Sequence, residues 1–126
     1  MRAVDTNVLV RLTTRDDTRQ VAVAEAFVRR GAWVSHLVLI EATWVLSTVY
    51  DLRPAAIATA VEMFLGHEHL TLQDPETVTA ALERYRRRSS VLFSDCLILE
   101  VARKAGHLPL GTFDRGLGRI EGAQRL

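Results

Sequence analysis

Short apolar runs separated by helical stretches dominate the chain. Arg2-Ala3-Val4 reads as an extended run that meets Asp5, and the spacing of Val8, Leu9 and Leu12 predicts a helix over Asn7 to Thr13. A second helix over Thr18 to Arg30 puts Val21, Ala24 and Val28 on one face, with Gly31 as its stop. Ala32-Trp33-Val34 is too short for anything but a strand. Ser35 is placed as the N-cap of a long helix, His36 to Tyr50, and Pro54 falls in the first turn of the next, Arg53 to Leu65, closed by Gly66. Leu70-Thr71-Leu72 is another short strand, and Asp74-Pro75-Glu76 opens a helix that runs to Arg87. Phe93 and Ser94 lead into a helix to Ala105 with Gly106 as its stop, and Leu108 to Phe113 reads as a buried strand. Strands this apolar, alternating with helices, predict an α/β class built on a parallel sheet covered on both faces. In such sheets ligands bind beyond the carboxyl ends of the strands, and Asp5 and Asp114 both stand there.

Composition narrows the picture without redirecting it. The chain of 126 residues suits one domain, spanning 1–126, and its hydrophobic share of 48% with 25% charged residues excludes disorder and fibrous structure. No apolar run approaches the roughly 20 residues needed to span a bilayer, and the start lacks the apolar stretch of a signal peptide. A cytoplasmic protein with no membrane partner is the expectation. Cys96 has no partner for a disulfide or a zinc site and reads as a buried small hydrophobe. The net charge of +1 gives no strongly basic field of the kind that marks many nucleic-acid binders. Lys104 is the one lysine among sixteen Lys and Arg. Arginine suits bidentate phosphate contacts, but a bias in base composition accounts for the excess equally well.

The chemistry lies in four of the fifteen acidic residues. Asp16, Asp17 and Asp74 fall at helix entrances, where a carboxylate caps free amides. Glu25, Glu62, Glu76, Glu83 and Glu100 fall on polar helix sides, and Asp51, Glu68 and Glu121 in turns or near the end. Asp5, Glu41, Asp95 and Asp114 are instead embedded in apolar sequence, and burial is expected for all four. Glu41 shares an i, i+3, i+4, i+7 stripe with Leu37, Trp44, Val45 and Thr48, which predicts that it faces the core; Asp95 does the same with Ile98, Leu99 and Ala102. The bland alternative is that each carboxylate separately pairs with an arginine or caps a helix, the capping option being strongest for Asp95 and Asp5 and weak for Glu41 in mid-helix.

Carboxylates that converge without cations are costly, since two of them about 4 Å apart repel by roughly 4 kcal/mol at an effective dielectric near 20. A divalent cation removes that cost. All-oxygen ligands suit Mg²⁺ or Mn²⁺ rather than zinc, there being no cysteine cluster and the histidines being scattered at 36, 67, 69 and 107. The chemistry such a centre serves is phosphodiester hydrolysis, where the ion polarises the phosphate and activates water.

These residues resemble the PIN-domain family of nucleases. Asp5-Thr6-Asn7 after the first strand, helical Glu41 followed by Trp44, Phe93-Ser94-Asp95 opening an apolar helix, and Thr112-Phe113-Asp114-Arg115 after the last strand are similar to its four acidic motifs, in order and over nearly the whole chain. Each tripeptide is common by itself; the four in order are specific. The resemblance implies a three-layer α/β/α sandwich with a short-stranded, mainly parallel central sheet. It also implies a metal site formed by Asp5, Glu41, Asp95 and Asp114 with Mg²⁺ or Mn²⁺. Thr6, Asn7 and Thr112 then become candidates to orient the ligating carboxylates, although Thr6 or Asn7 could merely cap the first helix and Thr112 merely fill a strand position. A domain of this length without appended modules looks like the VapC-type toxins. Those cleave RNA, are held inactive by a small cognate antitoxin and are typically homodimers.

Other features carry weaker signals. Arg84-Tyr85-Arg86-Arg87-Arg88 could meet RNA phosphates, through Arg86 and Arg87 especially, with Tyr85 stacking on a base, but cations at a helix C-terminus need no ligand. Arg115 and Arg119 follow Asp114 at the mouth of the proposed site, where they could neutralise phosphate charge. Trp33 and Trp44 read as core. Ile57, Val61 and Phe64 suggest an exposed apolar strip for an antitoxin or a second subunit. Besides an endoribonuclease toxin, the same acids fit an RNA-processing nuclease, and the same fold a silent RNA- or protein-binding platform. A phosphotransfer protein fits poorly, because Asp5-Thr6-Asn7 lacks a second aspartate and no lysine follows a late strand.

Overall fold

The computed structural model describes residues 1–126. In chain order the elements are β1 (Arg2–Ala3), α1 (Thr6–Thr14), α2 (Thr18–Val28), β2 (Ala32–Val34), α3 (His36–Thr48), α4 (Pro54–Gly66), β3 (Leu70–Leu72), α5 (Pro75–Arg87), α6 (Phe93–Ala105), β4 (Leu110–Thr112), a 3₁₀ turn (Leu117–Arg119) and β5 (Ala123–Arg125). Every strand pairing is parallel. β1, β2 and β3 form one sheet in that order, with Ala3 opposite Trp33 and Val34 opposite Leu72, while β4 and β5 form a separate two-stranded ladder with Gly111 opposite Gln124. The class is the α/β expected, consistent with a three-layer α/β/α sandwich. No helix is long and apolar enough to cross a membrane.

Local chemistry sets most of the helix starts. Ser35 accepts the amide of Val38 at 3.1 Å, Asp17 that of Gln20 at 3.0 Å, and the prolines at 54 and 75 occupy first turns where no amide donor is needed. Asp74 caps α5 from a left-handed backbone, φ 42°, and accepts the hydroxyl of Thr77 at 2.6 Å and the ammonium of Lys104 at 2.8 Å. Gly66 lies inside α4 as its last residue instead of just beyond it.

Four expectations about burial are overturned. The stripe Leu37, Glu41, Trp44 and Thr48 faces outward, because α3 turns Leu39, Ala42, Thr43 and Leu46 to the core; Trp44 is half exposed. Ile57, Val61 and Phe64 are interior residues packed in the main cluster, so α4 offers no apolar strip through them. Tyr85 is also buried, with its ring edge-on to Phe93 at 5.9 Å between centroids, and stacks on no ligand. The last strand is shorter and less covered than expected: Pro109 has no amide to donate, the ladder begins at Leu110, and Phe113 stands in solvent. β2 and β3 likewise alternate, with Ala32, Val34, Leu70 and Leu72 inward and Trp33 and Thr71 outward. Cys96 is interior as expected, and burial pushes its thiol up to about 12.

A buried carboxylate ties the second half of the molecule together. Glu100 is only 7% exposed, contrary to its expected place on a polar face. It accepts Arg103 Nε at 3.0 Å and lies 3.8 Å from Arg84 Nη2 on α5. Arg103 also donates through Nη2 to the Glu121 carbonyl at 2.6 Å, over Gly122. A side chain at Gly122, whose φ is +97°, would meet that guanidinium at 2.7 Å. Glu100→Ala would leave two guanidiniums without their shared partner, and a loss of about 2–3 kcal/mol is expected from urea unfolding, with Glu100→Gln losing less.

The capping carboxylate of Asp74 gives a pH prediction. The hydrogen bond from Lys104, followed by that from Thr77, holds its pKa down to about 2, against an ordinary 3.8. A carboxylate with a depressed folded-state pKa contributes stability above its unfolded-state pKa and loses it as pH falls through the folded one. Asp74→Asn keeps the cap and removes the charge. Its deficit against the wild type is expected to be constant at neutral pH and to shrink between pH values of about 4 and 2, as followed by thermal melts across that range.

Candidate metal centre

Each of the four carboxylates is placed by a different local device. Asp5 follows the carboxyl end of β1 and caps α1, its Oδ1 accepting the amide of the buried Thr6 at 2.7 Å. Glu41 stands exposed in the middle of α3. Asp95 lies half-buried in the first turn of α6, whose N-cap, Leu92, supplies no side-chain bond. Asp114 follows β4, and its Oδ2 accepts the amide of Leu117 at 2.7 Å, so that it starts the 3₁₀ turn. Asp5, Glu41 and Asp114 are thus exposed and none of the four is fully buried, a second correction to their expected surroundings.

The elements that carry them adjoin one another. α3 packs against both α1 and α6. The turn after Asp114 leans on the segment entering α6: a Cβ on Gly116 would lie 3.0 Å from Val91 Cγ1 and 3.3 Å from Asp114 Oδ2. The clearest pairing is between Asp95 and Asp114. The Asp95 carboxyl is pushed above the usual carboxylate range, first by burial and then by the negative charge of Asp114, with a partial offset from the Leu92 amide. No comparable proximity links Asp5 or Glu41 to this pair, and no three His, Cys, Asp or Glu side chains are gathered into a tight ligand cluster.

None of the four acids enters an ion pair. Asp16, Glu25, Glu62, Asp74 and Glu100 all do, with arginine or lysine. The alternative that each candidate acid has its own arginine is therefore excluded, whereas helix or turn capping is real for Asp5 and Asp114. Arg86 bonds Glu62 across α4 and α5 at 2.8 Å, which engages one of the four arginines considered for RNA. Arg87, Arg115 and Arg119 are exposed and enter no ion pair. Among the other polar candidates, Thr112 accepts the amide of Asp114 on Oγ1 at 3.0 Å, so it orders that residue's backbone and leaves the carboxylate alone. Asn7 is exposed and lines a groove of about 700 Å³ between α1 and α2, together with Asp5, Val8, Val23 and Phe27.

With this geometry in view, the family can be stated. The sequence matches that of the PIN domain over residues 2–123. The chain belongs to the PIN domain family. No curated protein and no solved structure matches it. PIN domains are in general metal-dependent nucleases, and the donor set here fits a hard cation. Mg²⁺ keeps several waters and is commonly held by one or two carboxylates, so an unpaired couple such as Asp95 and Asp114 meets the requirement without a closed cage.

Thr112→Val keeps the β-branched shape and removes the acceptor of the Asp114 amide. A loss of about 0.5–1.5 kcal/mol in unfolding free energy is expected, readable from urea melts.

Proposed function

We propose that this PIN domain, residues 1–126, is an endoribonuclease dependent on Mg²⁺ or Mn²⁺, with Asp5, Glu41, Asp95 and Asp114 as the carboxylates that hold the ion. The observation that carries the reading is that Asp95 and Asp114 stand on adjoining segments, close enough for the charge of Asp114 to act on Asp95, and neither enters an ion pair. Repulsion of that kind is stabilised only by protonation or by a bound cation. A divalent ion there supplies Lewis-acid polarisation of the phosphodiester and a hydrolytic nucleophile at neutral pH. The chain's own contribution is to aim the acids. The Asp5 carboxylate is held by the Thr6 amide and that of Asp114 by the amide of Leu117, Thr112 fixes the backbone at Asp114, and Glu41 is carried by α3. Arg115 and Arg119, free of ion pairs beside Asp114, suit the phosphates of the substrate.

The biological setting proposed is the cytoplasm, as the toxin of a toxin–antitoxin pair. A small antitoxin has a seat in the groove between α1 and α2: it is lined by Val8, Val23 and Phe27, and Asp5 stands on its rim, so a protein filling it would crowd the acids. Exposed Val49 and Met63, at the end of α3 and on α4, leave room for a homodimer contact through other residues.

Cleavage of RNA that requires Mg²⁺ or Mn²⁺, stops with chelator and falls at least 100-fold in Asp5→Asn and Asp95→Asn is expected, in line with the large rate terms that metal centres supply. Asparagine still caps a helix, so the Asp5 variant should fold normally. Independently of activity, Mg²⁺ should raise the thermal midpoint of the wild type and not that of Asp95→Asn, since only a ligand that binds the folded state stabilises it. Full activity in both variants would remove the proposed centre.

A further inference from the structure

We infer that Trp44 and Phe113 are stacking platforms for unpaired bases of an RNA on either side of the acids, a reading that rests on the nuclease proposal above. Trp44 follows Glu41 by one helical turn on the outward face of α3 and is half exposed. Together with Thr43 and Ser47 it borders Leu92, Phe93 and Ser94, the residues that lead into Asp95. Trp44 therefore borders the seam between α3, which carries Glu41, and the start of α6, which carries Asp95. Phe113 immediately precedes Asp114 and is 81% exposed. Large aromatic rings are ordinarily taken up by a core, and here, besides Trp33 on β2, two are left exposed, each near a candidate metal ligand in sequence.

The neighbouring charges select the occupant. Arg115, two residues after Phe113, and Arg119, at the end of the turn that follows, supply cations outside any ion pair, and a cation held by the acids would in turn bind phosphate. Flat apolar faces alternating with phosphate-binding groups match a single strand, whose bases are free to stack on protein side chains. A duplex keeps its bases stacked on one another and offers these rings nothing. A second copy of the chain fits less well. Glu41 lies between Leu37 and Trp44 on the same stripe, and a two-fold contact through that stripe would bring two Glu41 carboxylates together with no arginine paired to either.

Trp44 reports on its own occupancy once the only other tryptophan is replaced, as in Trp33→Phe. With chelator present to stop cleavage, a short unstructured RNA oligonucleotide is expected to quench that fluorescence saturably, and the same strand annealed to its complement is expected to do so far more weakly. In the cleavage assay, Trp44→Leu and Phe113→Leu should each raise KM on the order of tenfold, the scale of one lost base stack, with a smaller effect on kcat; Trp44→Phe should restore most of it. Unchanged KM and unchanged quenching would overturn the inference. So would a Trp44→Leu variant that turns a dimer into a monomer by sedimentation, since the face would then be a self-association surface. If the wild type cleaves no RNA with Mg²⁺ or Mn²⁺, the nuclease reading fails by itself. Quenching of Trp44 by the single strand then still supports the stacking site, and its absence still rejects it.

Discussion

The buried carboxylate of Glu100 is the interaction on which the second half of the molecule depends. It faces Arg84 from α5 and Arg103 one turn along α6, and Arg103 reaches on to the Glu121 carbonyl. The C-terminal segment needs that hold, because β4 and β5 pair only with each other. Leu117 and Ile120 anchor it in the main core, and the turn at Gly116 rests against Val91. Asp114 is consequently delivered to Asp95 by an ion-pair clamp and a few buried side chains and not by a continuous sheet. A buried ion pair is seldom the most stabilising choice for an interior, but it fixes one arrangement of the helices around it, and here that arrangement sets the spacing of two acids.

That spacing runs against stability. Asp95 carries both the cost of partial burial and the charge of Asp114, and no arginine offsets either, although the chain has many. Elsewhere the same protein pairs its acids readily: Asp74 with Lys104, Glu62 with Arg86, Glu25 with Arg15. Asp95 and Asp114, by contrast, are left without an ion-pair partner although the segments that carry them adjoin.

Most of the architecture was legible because its signals are local. Ser35, Asp17, Asp74 and the two early-turn prolines start helices where their chemistry requires, and the short runs Ala32-Trp33-Val34 and Leu70-Thr71-Leu72 have no other use than as strands. What could not be read was the direction in which faces point. Glu100 reads as one more acid on the polar side of a helix, yet its partners Arg84 and Arg103 come from two helices and close over it. Phe113 looked buried because it ends an apolar run, whereas the ladder stops at Thr112 and leaves the ring beyond it. β5 was missed altogether, since Ala123-Gln124-Arg125 has no strand pattern and exists only because β4 offers it a parallel edge.

Helix α3 shows why Glu41 stands out in the sequence although it is not buried. Its apolar residues wrap almost all the way round, so two stripes compete for the core, and periodicity alone cannot rank them. Leu39, Ala42, Thr43 and Leu46 carry no charge and are the residues buried where α3 packs against α1 and α6. The outward stripe, Leu37, Glu41 and Trp44, is otherwise apolar but contains the acid. Burying that stripe would take a carboxylate out of water with no cation beside it, so the helix turns it to solvent and keeps its uncharged stripe inside. The apolar neighbours that predict burial for Glu41 belong, in this structure, to an outward face.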